Sequence, residues 1–292
     1  MIRSVTTWRG RPALHLSGDG LEAVVSLTGA QLACIRRPGD ALNPLWQPTW
    51  STSDDPLLAV IVGSNPCIDR FGPPWPGEQK PVHGEAGVRQ WSTSQEGDEA
   101  VFRTTLPQAA LAVERRFRLV GDRLELTTDV RPLAGQQPRA IEWCEHTTLG
   151  DPFMDGALIT AGITSVEPMP GEAPGPCTAA AALAFPPAGA PARGDIYTAP
   201  VQHGWYRAIN PRLGRTLKVT WDPAAFPWLC LWTQHRTRTA PPWCGRERAR
   251  GMEVSTKPFP EGKPPATRAQ TWLGRPTTCV VPASKRISFR WC

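Results

Sequence analysis

The sequence predicts an all-β fold, a large antiparallel β-sandwich, from three observations. Apolar and polar residues alternate at a period of two. The alternating runs are short and bounded by turn residues. No proline-free helical stripe of ten or more residues occurs. Alternation sends successive side chains to opposite faces of a strand, so one face meets a core. The 33 prolines and 26 glycines also work against long helices. All-β architectures often use a chain of this length as one domain, and a single domain over 1–292 is the expectation. At this size roughly 75% of the unfolded chain's surface can be buried, without a disulfide or metal staple.

Taken in order, the first strand candidates are 21–27, 30–35, 57–62 and 100–105, short apolar runs closed by turn residues. Residues 110–130 read as a β-hairpin. Leu111, Val113, Phe117 and Leu119 share one face of its first arm, and Leu124, Leu126, Thr128 and Val130 share a face of its second. Gly121-Asp122 between them is a two-residue hairpin signal. Further candidates are 140–148, 157–166, 215–221, 228–233, 278–281 and 286–291. Residues 167–193 are rich in Ala, Gly and Pro without periodicity, and read as a long surface loop within the domain.

Composition excludes several function classes. The net charge is +6, but the basic residues are scattered apart from Glu114-Arg115-Arg116-Phe117-Arg118 and the run Arg236, Arg238, Arg246, Arg248, Arg250. A nucleic-acid surface needs a coherent basic stripe with interleaved aromatics, and none is present. The eight cysteines form no C-x-x-C pair, so neither a zinc signature nor a disulfide framework emerges. The start of the sequence lacks the apolar core of a signal peptide, and no run approaches the ~18 apolar residues of a membrane span. A cytoplasmic protein without membrane or nucleic-acid partners is expected. Thirteen tryptophans against two tyrosines add flat apolar faces that pack in cores or against sugar rings.

Three separated stretches carry groups able to move a proton near neutral pH. In the strand candidate around His146, Glu142, Cys144 and His146 share one face, while Ile141, Trp143, Glu145 and Thr147 share the other. His146 alone reads equally as a core histidine, and nothing nearby completes a metal-ligand spacing. His83 precedes Gly84 in a turn-like setting that lets a ligand or backbone come close. Glu253 lies between Met252 and Val254, where burial would raise its pKa towards that of a general base. A salt bridge to an upstream arginine is the competing reading. Arg70 could offer a fork of donors to hydroxyls, and Asp69 beside it reads equally as a turn residue and as a ligand. His15, His203 and His235 have no persuasive context.

Taken together, these segments resemble the aldose 1-epimerase (galactose mutarotase) family. The carriers are Leu21 to Leu32 followed by Pro44-Leu45-Trp46, His83-Gly84 with Trp91, Glu145-His146-Thr147-Thr148, and Gly251-Met252-Glu253 with Ser255-Thr256, in the family's order. The resemblance implies a large β-supersandwich and a cofactor-free, metal-free mechanism on a small-molecule sugar. By motif, Glu253 would be the base that takes the C1 hydroxyl proton, and His146 the acid that protonates the ring oxygen. His83 and Arg70 would orient ring oxygen and hydroxyls. Asp195, in Gly194-Asp195-Ile196-Tyr197, is the best match to an aspartate that holds hydroxyls. Trp75, Trp228 and Trp232 are candidate faces for the sugar.

Departures leave the substrate open. Where related hexose-6-phosphate mutarotases carry a phosphate-binding arginine after the His-Gly pair, this chain has Gly87, with Arg89 two residues on. Val254 also departs from the usual continuation after the glutamate. Two alternatives remain: a carbohydrate-binding protein without turnover, and a polysaccharide lyase-like enzyme in which an arginine neutralises a uronate.

Overall fold

In the computed structural model, which describes residues 2–262 and 270–292, the alternating runs form antiparallel strands. The first nine are β1 (Ile2–Trp8), β2 (Arg11–Ser17), β3 (Glu22–Ser26), β4 (Leu32–Arg36), β5 (Ser64–Asp69), β6 (Ser92–Glu96), β7 (Glu99–Leu106), β8 (Leu111–Val120) and β9 (Arg123–Pro132). Then come β10 (Arg139–Gly150), β11 (Leu158–Gly162), β12 (Glu167–Pro168), the short helix α1 (Ala179–Leu183), β13 (Arg193–Pro200), β14 (His203–Asn210) and β15 (Arg215–Trp221). The chain closes with β16 (Trp228–His235), β17 (Arg248–Ser255), β18 (Thr271–Trp272), β19 (Arg275–Pro276), β20 (Cys279–Val281) and β21 (Ala283–Trp291).

Among the described residues these strands build two large sheets. One runs β1-β2-β3-β4-β5-β10-β17-β16-β13-β12, with β20 joined to β10. The other runs β11-β14-β15-β21-β9-β8-β7-β6. The main hydrophobic cluster takes side chains from both, such as Val25, Trp143 and Met252 from the first and Phe102, Phe117 and Phe289 from the second. The expected sandwich is therefore present, and its core lies between the sheets. No helix among the described residues is long and apolar enough to cross a membrane.

The predicted hairpin is β8 and β9, with Val120 opposite Arg123 and Gly121 turning at φ +59°. The candidate 157–166 shortens to β11. The candidate 57–62 is not a strand. Asp55 Oδ1 accepts the backbone N–H groups of Leu57 (2.8 Å) and Leu58 (2.9 Å), and this side-chain cap winds the run into turns. Leu57, Ile61 and Val62 are buried all the same, Leu57 and Ile61 packing with Trp46 and Trp243. Strands β1, β2, β5, β6, β13, β14 and β17, and the two-residue β18 and β19, lie outside the predicted runs. β5 reads Ser-Asn-Pro-Cys-Ile-Asp and is buried throughout, so it shows no alternation. The loop 167–193 carries β12 and α1, whose first turn is capped by the Thr178 hydroxyl.

One charge pair spans the core. Arg115, on the inward face of β8 in phase with Leu111, Val113 and Phe117, reaches Glu145 on β10 through two parallel bonds of 2.9 and 3.1 Å. Both residues are buried, and Ser64 on β5 donates to the same carboxylate at 2.7 Å. Removing one partner of such a pair leaves an uncompensated charge in the core. Arg115→Met is expected to lose about 3–5 kcal/mol of stability in urea unfolding. Arg115→Met combined with Glu145→Met should recover most of that loss, and equal losses in the single and double variants would contradict the assignment.

Candidate active site

The strand order brings the sequence-distant groups together. β10 lies between β5 and β17, and its register sets His146 opposite Asn65 on one side and Glu253 on the other. On the far side of β17, Glu253 faces Cys230 of β16. Alternation turns Trp143 and Glu145 into the core and His146 to the outer face of the sheet. His146 Nε2 is 3.2 Å from Glu253 Oε1. His83 arrives from the loop after β5, with its ring centroid 5.0 Å from that of His146. Phe71 contacts both imidazoles, at 5.8 Å and 6.5 Å.

Two glycines make these positions possible. A Cβ at Gly84, which adopts φ +80°, would stand 2.5 Å from the Ile68 carbonyl oxygen, so only glycine lets the His83 loop lie against β5. A Cβ at Gly251 would stand 2.3 Å from Glu253 Oε1 and 3.0 Å from Trp232 Cβ. The bare backbone there leaves the space that the carboxylate occupies.

Two of these groups, Glu253 and His83, are shifted by their surroundings. Glu253 is 2% exposed, and burial raises its pKa above the ordinary carboxylate value. His146, the Cys230 thiol, Arg250 and Arg238 pull in the other direction without cancelling the burial effect. Burial, together with the neighbouring His146, Arg238 and Lys257, pushes His83 well below the ordinary histidine value. His83 is thus neutral at pH 7. Its Nδ1 accepts the Gly72 N–H at 3.1 Å, which assigns the ring proton to Nε2. His83 is a fixed hydrogen-bond donor. The Nδ1 of His146 bonds with the Thr148 hydroxyl at 3.2 Å, holding the ring with Nε2 towards Glu253.

His83, His146 and Glu253 line one cleft of about 640 Å³, together with Trp46, Trp232, Trp243 and Arg238. This size lies within the range of small-molecule sites. The Trp232 ring is 6.1 Å from that of His146, and of the three tryptophans considered from sequence it is the one that lines the cleft. Trp75 instead carries the Arg70 guanidinium at 3.3 Å, and Trp228 stacks on Trp272.

Two sequence-predicted ligands lie elsewhere. Arg70 does not line the cleft. Its fork is held by Glu78 and by Asp69 at 3.1 Å, and all but 3% of its surface is covered. Asp195 neighbours Ile196 on β13, and alternation turns it away from the cleft that Ile196 lines. Its Oδ2 accepts from Arg193, and it borders a separate chamber that shares Ile196, Trp232 and Arg238 with the cleft.

Glu142 shares a face with His146 but pairs with Lys257 at 3.1 Å and accepts the Phe71 N–H. Among the described residues no cluster of three or more His, Cys, Asp or Glu is arranged to hold a metal ion. The eight cysteines are free thiols. Arg238, Trp46 and Trp243 are among the cleft residues that sequence reasoning did not single out as ligands. Arg238 does belong to the basic run before Glu253, which was its only signal.

No family model matches the sequence, and no curated protein matches it. Solved structures do match in shape. A candidate aldose 1-epimerase from Klebsiella pneumoniae aligns with 97% of this chain and 79% of its own, at 16% identity and a TM-score of 0.70. A galactose mutarotase-like protein from Lactobacillus casei aligns over 96% and 99%, at 13% identity and a TM-score of 0.63. A galactose mutarotase related enzyme from Lactobacillus acidophilus covers 96% and 97%, at 9% identity and a TM-score of 0.65. At such identities the likeness is one of architecture: the chain has the galactose mutarotase-like fold.

Proposed function

We propose that the protein is a sugar mutarotase of the aldose 1-epimerase type, with Glu253 as base and His146 as acid. The observation that carries this reading is the 3.2 Å approach of His146 Nε2 to Glu253 Oε1 in a tryptophan-lined cleft that also presents His83. Anomer exchange needs a group that takes the C1 hydroxyl proton and a second that protonates the ring oxygen. Glu253 takes the proton from O1, the C1=O1 double bond forms, and the C1–O5 bond breaks as His146 delivers a proton to O5. The open aldehyde turns about C1–C2. Closure on the other face reverses both transfers, so no net proton is consumed.

The neighbours suit these roles. Burial makes Glu253 a stronger base than a solvated carboxylate, and the donor at His83 Nε2 can hold a ring oxygen or hydroxyl. Ring closure returns the proton from Glu253 to O1 and takes the O5 proton back to His146, which resets the pair. Trp232 supplies a flat face for the sugar's C–H surface.

Exchange NMR on α- and β-aldoses tests this reading. Glu253→Gln and His146→Asn should each lower kcat/KM by about 10²–10⁴-fold, the usual contribution of a positioned base or acid. A fully active Glu253→Gln removes Glu253 from the base role. No acceleration of any aldose or aldose acid sinks the mutarotase reading.

The pH profile has a determined sign. The ionised carboxylate is the active form, and its pKa is raised, so activity should fall on acidification through a value above the ordinary carboxylate range of about 4.3. The same shift means that the folded protein binds this proton more tightly than the unfolded chain. The protonated state therefore favours folding, an advantage lost as pH rises through the folded-state pKa. Glu253→Gln should then be no less stable than the parent at pH 7 in thermal unfolding, despite its lost activity. Gly251→Ala introduces no charge but displaces Glu253, and should lower kcat with the fold retained. Unchanged kcat in Gly251→Ala would mean that the carboxylate position is not critical.

A further inference from the structure

Arg238 follows β16 and lines the cleft beside His146 and Glu253. Its guanidinium lies over Trp243 at 4.7 Å and over Trp232 at 5.3 Å. These contacts occupy its flat face and leave its N–H edges for other partners. Among the described residues none supplies a salt bridge or hydrogen bond to that edge, and Glu172 and Glu253 act on it only through space. The contrast within the chain is sharp. Arg70, Arg115 and Arg248 each grip a carboxylate. Arg238 alone among these holds none, and it is the one exposed along the cleft.

The free edge of a guanidinium matches a carboxylate in plane and spacing, forming two parallel charge-assisted bonds. Hydroxyls offer no counter-charge to a cation set over two indole rings. Among the described lining residues Arg238 is also the one Lys or Arg, set among the carboxylates of Asp55, Glu172, Glu253 and Glu261. One cation in such company suits a single negative charge better than a phosphate dianion. The Trp232 indole contacts both the His146 ring and the Arg238 guanidinium, so a pyranose lying on it can reach both. We propose that Arg238 binds the carboxylate of a sugar acid, making the substrate a hexuronate whose anomeric carbon lies at His146 and Glu253. This rests on the mutarotase reading and names its substrate class.

Exchange NMR on glucuronate, galacturonate, glucose, galactose and glucose 6-phosphate tests it, alongside calorimetric binding of glucuronate. The parent should favour the uronates in kcat/KM. Arg238→Met should lower the uronate-to-hexose ratio of kcat/KM about 10–100-fold, mainly through KM, as expected for losing charge-assisted hydrogen bonds. Arg238→Lys should recover part of the ratio, because the charge remains while the planar fork is lost. If hexoses exchange and the ratio does not move in Arg238→Met, the uronate assignment falls while mutarotation stands. A preference for glucose 6-phosphate also overturns it. If no sugar exchanges yet glucuronate binds and Arg238→Met abolishes that binding, the anion site stands and mutarotation falls. Absence of both exchange and glucuronate binding rejects both.

Discussion

The site depends on which way β10 faces. Its period of two leaves two choices, and a slip by one residue would exchange the faces of every side chain. The buried pair between Glu145 and Arg115 selects one of them. Glu145 must point between the sheets to meet a guanidinium delivered by β8, and Ser64 of β5 supports the same carboxylate. His146 is then necessarily on the outer face, level with Glu253 of β17. A charge pair in a core contributes little net stability against an apolar substitute, but wrong registers would leave both charges buried and unpaired. Its structural consequence here is orientation.

On the outer face, desolvation and pairing oppose each other. Glu253 is sealed beneath the cleft, where burial penalises its charge, and His146 answers only part of that penalty. The residual cost leaves this carboxylate more basic than a solvated one. His83, close by, is treated differently. A backbone N–H takes one of its nitrogens and burial keeps the ring neutral, so it offers one donor and no charge. Two imidazoles 5.0 Å apart thereby sit in different hydrogen-bonding environments.

The cleft walls come from segments with little regular structure. Asp55 winds 57–62 into turns that press Leu57 and Ile61 against Trp46 and Trp243. The loop after β16 brings Arg238 over the same aromatic group. Strands hold His146 and Glu253, and loops shape much of the remaining cleft wall. This division is common where one scaffold serves different ligands.

Much of the fold could be read from the chain. Alternation and turn residues foretold the β8–β9 hairpin and most of the central strands, because a half-buried strand prints its two faces directly on the sequence. β5 escaped because both its faces are covered, and 57–62 misled because an aspartate cap outweighed an apolar run. The types and order of His83, His146 and Glu253 also pointed to acid–base chemistry on a sugar. Arg70 and Asp195 had suitable chemistry for ligands, yet Glu78 and Arg193 had already claimed them. By itself, then, the sequence determined an all-β sandwich and which groups could move a proton. Only the tertiary structure decided which charged groups were left without a partner in the cleft, because partners arrive across sheets and loops, and no local pattern encodes those distances.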